Sequence, residues 1–306
     1  MGGADPHHST PLIDAAALAS RLLALPGDDL SGAATGLVLL DARPAATARE
    51  RGDYLRGARE ADLDRHLSAE TADPADGGRH PLPSRQAWAR QLGDWGITPT
   101  TDVVVYDDAG GAMAAARCWW MLRAAGHRRA WVLDGGLPAA LAAGIPTRPT
   151  ASPPPRSSPP YPVDDWSDTL IGWRELQHLD SRGEAPPRLR LLDARSAQRF
   201  RGEGDPFDPV TGHIPGSRNA PFAEALRSDG TFRSPDELRQ WLTAALGGPG
   251  EATGGVAVSC GSGVTACHLA LAMEIAGLPA PRLYVGSWSE WCRRDLPVAT
   301  GEASAL

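Results

Sequence analysis

The chain has no lysine; all 30 of its basic residues are arginine. Together with the heavy alanine, glycine and proline content, this reads as a coding bias and not as a functional signal. The net charge of −7 and the lack of any arginine run longer than that in "GHRRA" (126–130) argue against nucleic acid as a partner. No stretch of about 18 apolar residues is present, so no membrane span is expected. The amino terminus lacks the basic-then-apolar order of a secretory signal. The cysteines are few and scattered: Cys118, Cys260, Cys267 and Cys292, with no C-x-x-C pair. That spacing indicates neither a zinc site nor a disulfide framework, and a cytoplasmic location fits it. His7 and His8 read as a solvent-exposed tail.

What is present is a duplication. "GLVLLDARPAATARERG" from Gly36 is echoed by "LRLLDARSAQRFRG" from Leu189, and aligning Asp41 with Asp193 gives an offset of 152. "AAGHRRAWVLDGGLPAA" from Ala124 is echoed by "IAGLPAPRLYVGSWSEW" from Ile275, with an offset of 151 at Gly126 and Gly277. A near-constant offset over most of a half-chain means two copies of one domain, and 306 residues accommodate two domains of about 150 each. The expected organisation is a first domain over 9–146, a proline-rich extended linker over 147–163 and a second domain over 164–302.

Each copy alternates short apolar runs with helical patterns. In the second copy "RLRLLDA", "GSRNAPF", "GGVAVSC" and "PRLYVG" read as strands. "SPDELRQWLTAAL" reads as a helix capped by Ser234 and Glu237, and "VTACHLALAMEIAG" as one stopped at Gly277. The expected fold class is α/β: two tandem domains, each a small parallel sheet flanked by helices. Function in such sheets sits at the carboxyl ends of strands.

Cys260 falls at such an end, in the turn "CGSGVT" between a strand and a helix. Gly261 and Gly263 let the backbone curl, so that amides and the positive end of the helix converge on one centre. Ser262 and Thr265 add hydroxyl donors. The arrangement is a cradle for a thiolate or an oxyanion. Cys267, on the helix, reads as structural. An offset of 151 places Ala109 at the equivalent point of the first copy, beside Asp107 and Asp108. That copy therefore lacks the nucleophile and reads as a structural partner. A cysteine phosphatase would need an arginine six positions after the nucleophile, where Ala266 stands.

The tandem "DAR" segments, "GHIPGSRNAPF", "CGSGVTA" and "GSWSEW" resemble the two-domain rhodanese sulfurtransferases, from about Leu12 to Ala299. The uncharged Gly261–Ser262 pair, with "GGRHPLPS" from Gly77, is similar to the 3-mercaptopyruvate sulfurtransferase branch. The resemblance implies two rhodanese-like domains and a persulfide on Cys260. It implies that Ser262 polarises substrate and that Arg199 binds the donor's carboxylate. It places Arg195 near the pocket and makes Gly261, Gly263, Val264 and Thr265 the lining of the donor site. His213 becomes a fold residue. It further implies a small-molecule sulfur donor, a thiol, cyanide or thioredoxin-like acceptor, and no metal or organic cofactor. Thiosulfate is the alternative donor, and a non-catalytic binding module the alternative class. Two departures stand out. The stretch 202–211 lacks the branch's second carboxylate-binding arginine. The first domain's "HIPGA", whose histidine joins a serine relay, reads "YLRGA"; Tyr54 there can hydrogen-bond but is a poor proton shuttle near neutrality, and the sequence does not decide whether it or Arg56 replaces that histidine.

Overall fold

The computed structural model describes residues 10–25, 36–153, 159–177 and 189–302. The amino-terminal histidines and residues 154–158 of the proline-rich stretch lie outside them. The chain divides into two compact units: Met1–Leu67, Ser84–Asp164 and Ser228–Phe232 in the first, and Ser68–Pro83, Asp165–Arg227 and Arg233–Leu306 in the second.

The first unit holds β1 (Leu12–Ile13), β2 (Leu37–Asp41), β3 (Tyr54–Leu55), β4 (Ala58–Glu60), β5 (Asp102–Tyr106), β6 (Ala130–Leu133) and β7 (Thr147–Arg148). Five of these form a sheet in the order β1-β6-β5-β2-β4, parallel throughout. Its helices are α1 (Ala15–Leu23), α2 (Ala45–Arg51), α3 (Leu63–His66), α4 (Arg85–Asp94), α5 (Ala114–Ala124) and α6 (Gly136–Ala142). The central strands β2 and β5 are buried at every position, as their unbroken apolar runs require of a sheet covered on both faces. Asp14 caps α1 by accepting the Ala17 amide at 2.7 Å. The start of the expected linker is ordered: Thr147 and Arg148 pair antiparallel with Leu55 and Tyr54.

The second unit repeats the plan with β8 (Arg190–Asp193), β9 (Ser217–Asn219), β10 (Val256–Ser259) and β11 (Arg282–Leu283) in the order β11-β10-β8-β9, again all parallel. Around them run α7 (Trp173–Leu176), α8 (Ala197–Arg201), α9 (Pro235–Ala245), α10 (Thr265–Ile275) and α11 (Ser287–Trp291). Each strand read in the sequence is present, and Ser234 and Glu237 form the expected capping box. Isolated bridges mark two pairings that the first unit makes with full strands. Leu170 bridges Leu283 as β1 pairs β6, and His213 bridges Ala299 as β3 pairs β7. Tyr54 is thus the counterpart of His213. The core of this unit gathers Leu191, Ile214, Ala257, Tyr284, Trp288 and Trp291.

Candidate active site

Strand register corrects the alignment of the two copies. Asp41 pairs with Tyr106, and its counterpart Asp193 pairs with Ser259. The residue after each strand is therefore Asp107 in the first copy and Cys260 in the second, so Asp107, not Ala109, occupies the nucleophile's place. Backbone bonds agree. Ala42 donates to the Tyr106 carbonyl as Ala194 does to that of Ser259, and Leu137 donates to the Asp107 carbonyl as Trp288 does to that of Cys260.

Cys260 is 2% exposed. Its amide donates to Ser287 Oγ at 3.1 Å. The carbonyls of Cys260 and Gly261 accept from the amides of Trp288 at 3.0 Å and Ser289 at 2.9 Å. The loop is thus anchored to the first turn of α11. Ser287, a residue the sequence reading did not single out, has φ +50. That left-handed backbone is unfavourable for a side chain. The buried Ser287 hydroxyl stabilises it by also donating to the Tyr284 carbonyl at 2.8 Å. The two loop glycines serve different needs. Gly263 adopts φ +74, and a Cβ there would lie 2.5 Å from the Val285 oxygen. For Gly261 the constraint is close approach: a Cβ would sit 3.0 Å from an Arg199 nitrogen and 3.2 Å from one of Arg79. Val264 precedes α10, Thr265 opens it, and no side chain caps that first turn. Cys267 is buried, and its thiol donates to the Gly263 carbonyl at 3.3 Å.

Ser262, Arg199 and Arg195 all surround this loop, at different depths. Ser262 Oγ hydrogen-bonds His80 Nδ1 at 2.8 Å. His80 is therefore the histidine of this site. Tyr54 is buried in the first unit, where its hydroxyl donates to Glu60 at 2.8 Å. Burial, with Glu60 beside it, pushes the Tyr54 pKa up to about 12. Arg56 follows on the same strand segment, with its amide bonded to the Pro146 carbonyl at 2.8 Å. The histidine beside the Cys260 loop is thus His80, while Tyr54 is held within the first unit. The "HIPG"-like position belongs to the β3–β7 ladder, while the histidine arrives on the segment Ser68–Pro83.

Arg199 is partly exposed and grips Asp205 through Nε at 3.0 Å and a terminal nitrogen at 3.1 Å. The Arg195 side chain is 1% exposed. It chelates Asp193, donates to the Gly212 carbonyl at 2.8 Å and lies over the Trp288 ring at 4.8 Å. Burial opposes the charge on Arg195, yet Asp193, Asp205 and Cys260 together raise its pKa above the ordinary value. Arg195 thus faces the loop from within the protein. His213 is buried, stacks on Phe200 at 3.7 Å and bonds the Phe200 carbonyl through Nδ1 at 2.8 Å. Burial lowers its pKa, as suits a neutral fold residue.

A thiol ending a parallel strand, held by a glycine-curled loop at an uncapped helix start, is a setting in which backbone amides can hold a thiolate or an oxyanion. Residues 28–143 and 175–294 each match the family described as rhodanese-like domain, and the chain belongs to that family. It is 44% identical to a probable 3-mercaptopyruvate sulfurtransferase of Pseudomonas aeruginosa, over 87% of this chain and 93% of that protein. It is 37% identical to the thiosulfate sulfurtransferase of Bos taurus, over 79% of this chain and 82% of that one. The solved structure of 3-mercaptopyruvate sulfurtransferase from Leishmania major superposes with a TM-score of 0.75 at 29% identity, covering 94% of this chain and 75% of that one. Among the described residues no helix is long and apolar enough to cross a membrane.

Proposed function

We propose that the protein is a sulfurtransferase that moves a sulfane sulfur from 3-mercaptopyruvate to a thiol or cyanide acceptor through a persulfide on Cys260. The observation that carries this reading is the grouping of Cys260, the Ser262–His80 pair and Arg199 around an uncharged loop. The names borne by the relatives support the donor. We assign Cys260 as nucleophile and Ser262, with His80, as the group that holds and polarises the donor. Arg199 takes the carboxylate, and Gly261, Gly263, Val264 and Thr265 supply backbone to the pocket. Arg195 acts as a positioning residue, holding Asp193 and Asp205 behind the loop. The first domain (9–146) and linker (147–163) carry no nucleophile; the second domain (164–302) supplies Cys260, and His80 joins it from the segment Ser68–Pro83 of the second unit.

The thiolate of Cys260 attacks the sulfur of mercaptopyruvate. An S–S bond forms and the S–C bond breaks. The electron pair passes to the methylene carbon as the enolate of pyruvate, while Ser262, the loop amides and the start of α10 stabilise the developing charge. The proton lost by the donor's thiol ends on that carbon, releasing pyruvate and leaving the Cys260 persulfide anion. The acceptor nucleophile, a thiolate or cyanide, then attacks the outer sulfur and frees the Cys260 thiolate. Covalent catalysis divides one difficult transfer into two easier ones. A small thiol or a thioredoxin-like protein in the cytoplasm is the proposed acceptor.

The test is mass spectrometry of the Cys260 peptide after donor treatment. Mercaptopyruvate should add one sulfur atom, and acceptor should remove it. Steady-state comparison at equal concentrations should rank mercaptopyruvate above thiosulfate. No added sulfur, or the reverse ranking, would refute the assignment.

A further inference from the structure

The residue that ties His80 to Ser262 lies on α11. Ser289 is wholly buried, and its polar groups reach three places. Its amide donates to the Gly261 carbonyl at 2.9 Å. Its Oγ accepts the Arg79 amide at 3.1 Å and donates to the Gly286 carbonyl at 2.9 Å. Gly261 directly precedes Ser262, and Arg79 directly precedes His80. One buried residue therefore holds both segments beside the point where Ser262 Oγ and His80 Nδ1 meet at 2.8 Å. Gly78 brings the arriving segment close enough for this. It has φ +85, and a Cβ on it would lie 2.5 Å from the Gly286 oxygen, so only glycine allows the approach. The Gly77 amide adds a longer and weaker bond to Glu290 Oε1 at 3.4 Å.

The first copy is an internal control. Leu137 matches Trp288 through their bonds to the carbonyls of Asp107 and Cys260, so Pro138 stands where Ser289 stands. Proline has neither an amide hydrogen nor a hydroxyl and can make none of the three bonds. The segment Ser228–Phe232, which belongs to that unit, is held by another group: the Phe232 amide donates to Asp134 Oδ1 at 2.9 Å. The serine is present in the copy that has a thiol and a histidine to align, and absent from the copy whose cradle is filled by Asp107.

We infer that Ser289 is a positioning residue of this site. Its hydroxyl fixes the segment bearing His80 against the loop bearing Ser262, and so holds the imidazole and hydroxyl at hydrogen-bond distance for the donor. It does not touch the reacting atoms and acts through His80. The inference rests on the reading of Ser262 and His80 as the pair that polarises the donor.

Ser289→Ala removes the hydroxyl and keeps the amide bond to Gly261. In the full-length protein it should lower kcat for mercaptopyruvate by about 10-fold, short of the roughly 10²-fold that misplacement by about 1 Å costs. The deciding comparison is made in His80→Ala. There Ser289→Ala should add nothing, because a residue that acts through His80 has no effect once His80 is gone. A merely structural role would lower turnover by the same factor in both backgrounds. That result, or an unchanged kcat in Ser289→Ala, would overturn the inference. Should the alanine variant not fold, Ser289→Cys, which fills similar space with a weak acceptor, is read in its place. A second readout needs no sulfur transfer. The nitrogen NMR signals of the His80 imidazole should move in Ser289→Ala toward their positions in Ser262→Ala, and unmoved signals would overturn the positioning. Moved signals in a protein whose Cys260 takes no sulfur from mercaptopyruvate would uphold the positioning and refute the donor instead.

Discussion

The same loop is built twice in this chain, once around a thiol and once around a carboxylate. In the first copy Asp107 curls back into its own turn and accepts the amides of Ala109 at 2.9 Å, Gly111 at 2.8 Å, Met113 at 3.2 Å and Ala115 at 3.3 Å. Burial pushes the Asp107 pKa up, and those four amides oppose it. The turn after a parallel strand is thus an anion cradle, and in this copy its own side chain fills it. In the second copy a buried thiol, Cys260, stands in that place, and its amide donates to Ser287 Oγ. The frames behind both loops are alike. Arg43 chelates Asp41 as Arg195 chelates Asp193, with closest approaches of 2.6 Å and 2.7 Å. A second carboxylate joins each arginine, Asp53 in one and Asp205 in the other. Gly136, at φ +56, takes the backbone conformation that Ser287 takes at φ +50. The scaffold is common, and the residue that follows the central strand differs, a carboxylate in one copy and a thiol in the other.

The comparison breaks most visibly at the nucleophile. Cys260→Ser should reduce sulfur transfer by on the order of 10³-fold or more, because an alcohol is a far weaker nucleophile than a thiolate. Cys267→Ser should retain most activity. A steady-state assay with mercaptopyruvate and cyanide measures both, and comparable turnover in Cys260→Ser would remove the distinction between the copies.

Next in size is the pair that only the second copy possesses. His80→Ala or Ser262→Ala should lower kcat by roughly 10²-fold, the low end of what a positioned acid–base group contributes. The double variant should fall little further than either single one if they act as a unit. Additive losses would show two independent roles.

Removing the carboxylate that fills the first cradle should cost stability and leave the chemistry. Asp107→Ala strands several buried amides, at about 1–3 kcal/mol for each one that water cannot reach. A net loss of about 2–4 kcal/mol in denaturant unfolding is expected, with sulfur transfer per folded molecule within a few-fold of the parent. A loss of turnover without loss of stability would mean the first cradle serves the reaction.

The smallest effect is a shared sensitivity to acid. Burial lowers the pKa of His66 and His127 in the first copy and of His213 in the second. Each is neutral in the fold but takes up a proton when unfolded, near its free value of about 6.5. Their contribution is complete above about that pH and is lost as the pH falls through it toward the folded values. Asp107, raised by burial, acts in the opposite sense. A lower unfolding midpoint at pH 5.5 than at pH 7.5 is expected, and an equal midpoint would contradict the burial of these rings.

The sequence by itself determined the duplication, the parallel α/β class and the placement of Cys260 at a strand's end. Those properties are written in local patterns: unbroken apolar runs in β2, β5 and β10, the Ser234 capping box, and Gly263 in a strand-to-helix turn. Ser262 was named from that turn, whereas Arg199 was named only through the resemblance to the rhodanese sulfurtransferases. Tertiary structure decided the rest. A constant offset of 151 put Ala109 opposite Cys260, because an offset cannot register small insertions, whereas the Asp41–Tyr106 and Asp193–Ser259 pairings fix Asp107 there. The role of Tyr54 was undecided in the sequence, and the β3–β7 ladder holds it. His80 and Arg79 stand about 180 residues from the loop they touch, and no periodicity or spacing spans that distance. Their place depends on Gly78 fitting against Gly286 and on Ser289 receiving the Arg79 amide. Close packing between distant segments sets such contacts, and only the folded chain reveals them.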